Sequence, residues 1–162
     1  MLNNVLPANA IVVEETITHR IPIVRMLERL GPGHYFGAES GGLELGMGIA
    51  LGLKRVNPGK PVIALIGDGS FNYNSVLAAL AFSQEYGCPI ITVVMNNDGY
   101  LSMKRGITDL YPDGWAAKSE IFFGHPINPS PQYADSPWRL VGKAKRWRTP
   151  PKSNLHCVGH PK

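Results

Sequence analysis

The chain has 162 residues, 44% of them hydrophobic and 17% charged, with 18 Gly, 14 Pro and 2 Cys; this composition fits one globular domain and excludes a disordered or collagen-like chain. Cys88 and Cys157 stand 69 positions apart with no C-x-x-C spacing, so neither a disulfide framework nor a zinc site is implied, and a reducing, cytoplasmic setting is expected. The formal charge of +4 is unevenly placed: residues 1–135 hold all 12 acids and 9 of the 16 Lys and Arg, a net of −3, whereas residues 136–162 hold 7 Lys and Arg and no acid. The basicity belongs to the tail, which weakens it as a sign of a nucleic-acid-binding protein. The longest apolar stretches, PVIALIG and PIITVVM, are strand-length and fall short of the roughly 20 residues a membrane helix needs. MLNNVLPAN lacks the basic and apolar regions of a signal peptide.

In chain order, AIVVEE at 10–15 reads as a buried strand entering a polar loop, and HRIPIVRMLERL shows helical spacing ended by Gly31-Pro32-Gly33. HYFG is a short strand. GGLELGMGIALGLKRVN places Leu43, Met47, Ile49 and Leu51 on an apolar face with Gly42, Gly46, Gly48 and Gly52 on or beside it, which predicts a buried helix whose glycines permit close packing. Pro61–Ile66 is a continuous apolar strand that runs into Gly67-Asp68-Gly69-Ser70; SVLAALAFSQEYG is then a helix ending at Gly87, and PIITVVM a strand ending in Asn96-Asn97-Asp98-Gly99-Tyr100. Strands apolar on both faces, alternating with helices, predict an α/β fold: a three-layer, doubly wound parallel sheet. From Leu101 to Pro137 the pattern weakens to a short helix at MKRG, a turn at YPDGW and a Pro-rich connection, and the remainder has no apolar periodicity.

Ligands of parallel α/β sheets bind beyond the carboxyl ends of the strands, where both polar clusters, GDGS and NNDGY, fall. Gly67 and Gly69 let the backbone turn tightly, and the N–H groups of Gly69 and Ser70 at a helix start favour a phosphate. A lone acid in that turn would repel a phosphate unless a cation lay between them. Asp68, an amide oxygen of Asn97 and a nearby backbone carbonyl supply three hard oxygen ligands, suited to Mg²⁺ that also binds diphosphate oxygens.

G-D-G-S followed by N-N, with 26 residues between Gly69 and Asn96, resembles the cofactor signature of thiamine-diphosphate enzymes. The likeness, over residues 5–135, is to the pyrophosphate-binding (PP) domain of the superfamily containing acetolactate synthase and benzoylformate decarboxylase. It implies that Asp68 and Asn97 are the Mg²⁺ side-chain ligands and Gly99 the carbonyl ligand. Ser40-Gly41-Gly42-Leu43 matches a second cluster of the family, in which the Gly41 carbonyl would accept from the pyrimidine amino group and Leu43 would be the apolar wedge that bends the cofactor. Thr16 matches, more loosely, a threonine near the diphosphate. In the bent cofactor the pyrimidine deprotonates the thiazolium, which then acts as electron sink for loss of CO₂ from a 2-oxo acid. The glutamate that drives this chemistry sits, in the family, on a pyrimidine-binding (PYR) domain contributed by another subunit. No catalytic residue is therefore assigned to this chain. It is expected to be inactive alone, as a fragment or as a β-like subunit of a two-chain decarboxylase, and to work as a homo- or hetero-oligomer on a small 2-oxo acid. Met103 stands where yeast-type pyruvate decarboxylases carry a glutamate, which favours the acetolactate synthase or benzoylformate decarboxylase side.

His19, His34 and His125 have no partner at useful spacing and are expected to be solvated or capping residues; Cys88 reads as an inert buried thiol. After Asp135 the likeness stops abruptly, which sets boundaries at 1–135 for the PP domain and 136–162 for a divergent basic tail. A frameshift near Ser136 is one account of the break. A permitted choice of codons for WRTPPKSNLHCVGH, read one base earlier, encodes VEDPAEVEPALRRA, an amphipathic helix of the kind the family has there. A genuine basic tail that binds RNA or another acidic partner is the other account, and sequencing both strands around codon 136 separates the two.

Overall fold

A computed structural model describes residues 2–28, 31–37, 42–134, 143–148 and 154–159, the last two segments as backbone only. After a short helix α1 (Leu2–Val5), the elements are β1 (Ile11–Glu15), α2 (Arg20–Met26), β2 (Tyr35–Gly37), α3 (Gly46–Val56) and β3 (Val62–Gly67). Then come α4 (Asp68–Tyr73), α5 (Val76–Glu85), β4 (Ile91–Asn96), α6 (Leu101–Leu110), α7 (Trp115–Ser119), β5 (Lys143–Arg148) and β6 (Asn154–Gly159). The sheet order is β2-β1-β3-β4-β6-β5, the first four strands parallel.

Continuous apolar strands are buried on both faces because successive side chains point to opposite sides. On β3, Val62, Ala64 and Ile66 join a cluster with Met47, Ala50 and Leu51 of α3 and Val76 and Leu80 of α5. Ile63 and Leu65 join Ile23 of α2, with Leu27 and Val93, on the other face. Two cores separated by one sheet make the three-layer α/β architecture predicted from the strands. Tyr133 is fully buried in the first cluster, edge-on to Phe71 at 5.5 Å, so the Pro-rich connection returns to the core before the basic tail begins.

Several elements depart from the sequence-based expectation. Helix α2 ends at Met26, four residues short of Leu30, because Leu27 adopts an extended conformation. A helix, α4, starts at Asp68 itself, so GDGS is the first turn of a helix as well as a tight bend. Helix α6 runs ten residues where only a short helix is expected. The tail, without apolar periodicity, forms an antiparallel hairpin whose β6 pairs with β4 from Ile91↔Gly159 to Asn96↔Asn154. An unpaired β4 edge offers a row of backbone donors and acceptors, and such pairing needs no apolar pattern. Among the described residues, no helix is long and apolar enough to cross a membrane.

The glycines of α3 divide. A Cβ at Gly46 would lie 2.7 Å from Glu15 Oε2 and 3.0 Å from Glu15 Cβ, whereas nothing lies within 4 Å of one at Gly48 or Gly52. Close packing therefore belongs to Gly46, and the other two face open space. The reason is Glu15, a buried carboxylate that accepts from the N–H of Leu45 (3.0 Å) and Gly46 (2.9 Å) at the start of α3 and from Asn74 Nδ2 (3.1 Å). Gly46→Ala is expected to destabilise the domain by about 1–3 kcal/mol through overpacking. Gly48→Ala is expected to gain up to about 1 kcal/mol from helix propensity. Denaturant unfolding of the two variants checks the contrast.

Candidate functional site

Parallel pairing of β3 with β4 sets Gly67 opposite Met95, so the segments just past both strands, Asp68 and Asn97, leave the sheet side by side. Asp68 is 3% exposed. Its Oδ2 accepts from the N–H of Gly99 at 3.0 Å and of Asn97 at 3.3 Å. Burial holds its pKa above the ordinary 3.8 despite the opposing hydrogen bonds from the Gly69, Gly99 and Asn97 backbones, and neighbouring Asp98 adds to the rise. The loop is shaped locally: Asp98 sits at φ 60°, and the Asn96 side chain exchanges hydrogen bonds with it, Asp98 N to Asn96 Oδ1 at 2.9 Å and Asn96 Nδ2 to Asp98 Oδ1 at 3.0 Å. Gly99 is held against the 122–127 segment, where a Cβ would lie 2.6 Å from the His125 carbonyl oxygen. That carbonyl accepts from Tyr100 N at 2.8 Å, and Ile127 N donates to Asp98 O at 3.0 Å.

Asn97 shows what the cluster can hold. Its Nδ2 donates to Thr18 Oγ1 at 3.3 Å, which fixes the amide, while its Oδ1 is buried without a hydrogen-bond partner. A buried carbonyl oxygen without a donor is costly unless something electropositive meets it. One carboxylate, one unpaired amide oxygen and a glycine backbone form the oxygen-rich, low-charge set that a small hard cation takes when phosphate supplies further ligands. The residues present therefore fit Mg²⁺.

A cavity of about 420 Å³ opens at these strand ends, and Thr16, Leu43, Asp68, Gly69, Ser70, Asn97 and Gly99 all line it. Of the cofactor and metal residues expected from the sequence, Gly41 lies outside the described residues, as does Ser40 of the same cluster. Gly69 has a steric role, since a Cβ there would lie 2.8 Å from the Tyr100 ring. The Thr16 hydroxyl and N–H both donate to Glu14 Oε1, whose other oxygen accepts from Arg20 Nε and Tyr35 OH, each at 2.9 Å.

Other lining residues escape the sequence reading: Thr18, Tyr100, Lys104, Phe122 and His125. His125 corrects the expectation of a solvated histidine, because its Nε2 is buried and unpartnered and its ring packs on Gly99. Of these lining residues, Thr18, as the second threonine of TIT, and Tyr100, as the end of NNDGY, carried a signal. His34 caps no helix: its Nδ1 lies 3.0 Å from Ala10 O, next to the start of β1, and Cys88 is buried as expected.

The sequence profile described as "Thiamine pyrophosphate enzyme, C-terminal TPP binding domain" matches residues 18–131. The chain belongs to this family. Thiamine-pyrophosphate (thiamine-diphosphate) enzymes of known activity are similar to it: benzoylformate decarboxylase of Pseudomonas aeruginosa is 31% identical over 104 residues, 64% of this chain and 19% of that protein. The acetolactate synthase large subunit of Haemophilus influenzae is 31% identical over 84 residues, 51% of this chain and 14% of that protein. Among solved structures, the thiamine diphosphate-dependent 4-hydroxybenzoylformate decarboxylase of Rhodococcus jostii superposes with a TM-score of 0.65 at 28% identity, covering 78% of this chain and 22% of that one. The chain thus spans about a fifth or less of the length of these relatives. It is a TPP-binding domain of the decarboxylase and synthase family, with the α/β fold of its structural neighbours.

The raised pKa of Asp68 has a measurable consequence in the metal-free TPP-binding domain. Between 3.8 and the raised value the folded chain keeps a proton that the unfolded chain has released, so this group makes stability fall as pH rises through that window. The unfolding free energy of the wild type relative to Asp68→Asn, measured by denaturant in EDTA, is expected to decline as pH rises from 3.8 upward. A difference independent of pH would contradict the burial argument.

Proposed function

We propose that this domain binds thiamine diphosphate through Mg²⁺, with Asp68, Asn97 and the Gly99 carbonyl as the protein ligands. The observation that carries the proposal is the buried, unpartnered Oδ1 of Asn97, a residue whose backbone N–H donates to the Asp68 carboxylate. The cation neutralises the carboxylate and the diphosphate together and removes the cost that burial places on Asp68. Gly69 and Ser70 offer N–H donors to the diphosphate where β3 meets α4, and Gly69 does so without a Cβ that would displace Tyr100. Leu43 supplies the apolar support under the bend of the cofactor, and the Gly41 carbonyl receives the pyrimidine amino group. Thr16 borders the diphosphate. With its hydroxyl engaged by Glu14, it acts there by contact and shape.

When bound, the cofactor supplies a carbanion equivalent and an electron sink for cleavage of a 2-oxo acid. The chain's own residues bind and orient it, and the aromatic and apolar side chains on the cavity wall limit the access of water. Among the described residues, Glu14 and Glu15 are engaged as structural acceptors, and the activating glutamate is assigned to a PYR domain. The complete enzyme is therefore a decarboxylase or carboligase of 2-oxo acids in which a PYR domain, of the same or a separate chain, completes the site, and this chain alone is inactive. A β-like subunit of a two-chain enzyme is the arrangement in which the chain functions as it stands.

Calorimetric titration with thiamine diphosphate tests the proposal. Mg²⁺ should strengthen binding, Asp68→Ala should abolish that dependence, and Thr18→Val, which frees the Asn97 amide, should weaken Mg²⁺ affinity about 10–100-fold, the range for loss of a partner that orients a metal ligand. Binding indifferent to Mg²⁺, or to Asp68→Ala, would refute the ligand assignment.

A further inference from the structure

Helix α6 follows directly from the loop that carries Asn97 and Gly99, and Lys104 lies in its first turn, its N–H bonded to Tyr100 O at 3.3 Å. Lys104 lines the same cavity as Asp68 and is the single Lys or Arg among the described residues that do so. Its Nζ lies 4.8 Å from the centroid of the Phe122 ring, a placement that holds an ammonium over an aromatic face without neutralising it. The ion pairs among the described residues are Arg20 with Glu14 and Lys118 with Asp113, and Lys104 takes part in neither. A cation on a cavity wall, paired with no acid among the described residues and positioned relative to the proposed metal ligands by one turn of helix, suits an anion.

We infer that Lys104 holds a second, non-reacting anionic group of the substrate, so that the substrate class is a 2-oxo acid whose side chain ends in a carboxylate, sulfonate or phosphonate. This rests on the thiamine-diphosphate reading of the cavity. The choice of group follows from the chemistry. The carboxylate lost as CO₂ gives up its charge as the bond breaks, and a fixed cation on it would stabilise the ground state more than the transition state. An anionic group that keeps its charge throughout is bound equally in both states, so Lys104 can select for it without slowing the reaction. Ile107 and Phe122 on the same wall provide apolar surface for the carbon chain that carries the group.

The test uses the full chain loaded with Mg²⁺ and thiamine diphosphate, titrated with three unreactive probes of similar length: butyrate, succinate and 3-sulfopropionate. Both dianions should bind at least about tenfold more tightly than butyrate. Lys104→Met should erase the preference, Lys104→Arg should keep it, and cofactor affinity should be the same in all three proteins. A preference for succinate alone marks a carboxylate site, and one for 3-sulfopropionate alone a site for sulfonate-like groups. Equal affinity for all three probes, absence of binding, or a preference that survives Lys104→Met overturns the inference while leaving the cofactor site intact. Loss of thiamine diphosphate affinity in Lys104→Met also overturns it, by assigning the lysine to the diphosphate. If the loaded complex does not form in the wild type, the cofactor reading fails, and this inference with it.

Discussion

The site depends on the register of two parallel strands. With Gly67 opposite Met95, the chain leaves β3 and β4 at the same level, and the Asp68 carboxylate can reach the N–H groups of Asn97 and Gly99. A slip of one residue would exchange the two faces of β4, take Val93 and Val94 out of their cores and break these bonds together. The register that buries both faces of β4 is thus the same feature that brings Asp68 and Asn97 together. Burial of that set has an electrostatic consequence, because Asp68 is desolvated and Asn97 Oδ1 is left without a donor. Both are unfavourable in the bare protein, and the proposed divalent cation would relieve both.

Around this centre the glycines have distinct tasks. Gly69 gives room to the Tyr100 ring, Gly99 lets the His125 backbone approach, and Gly46 admits the Glu15 carboxylate. The paired acids at the end of β1 divide the same way: Glu15 caps α3, while Glu14 ties Thr16, Arg20 and Tyr35 together. They fix the walls of the cavity without entering its chemistry. Local polar groups that would be liabilities in a core are mostly satisfied in pairs and threes; of the three exceptions among the described residues, Asn97 Oδ1 and His125 Nε2 belong to residues that line the cavity and Thr92 Oγ1 lies on β4 away from it.

Much of this was legible in the sequence for physical reasons. VIALIG is apolar throughout and ITVVM is so except at Thr92, which is the signature of strands covered on both sides, and the polar residues that end them mark the ligand end of such a sheet. Asp68 and Asn97 could be grouped because each follows the carboxyl end of an apolar strand, and Gly99 was added by the family resemblance. Residues reached through tertiary contact were not legible. His125 arrives by way of a Pro-rich connection with no periodicity, and Lys104 has no charged neighbour in sequence except Arg105. Helix α4 was hidden by its two opening residues, Asp68 and Gly69, which read as a turn. The hairpin of β5 and β6 was hidden because edge pairing runs through the backbone, and backbone groups are the same in every sequence.

The central claim is that one cation joins Asp68 and Asn97 to a diphosphate. Diffraction from crystals of the chain grown with thiamine diphosphate and Mn²⁺ in place of Mg²⁺ tests it most directly, through the anomalous signal of the metal. The account predicts a single peak about 2.0–2.3 Å from an Asp68 carboxylate oxygen, Asn97 Oδ1 and the Gly99 carbonyl oxygen. A peak elsewhere in the cavity, or bound thiamine diphosphate with no metal at these three oxygens, would contradict it.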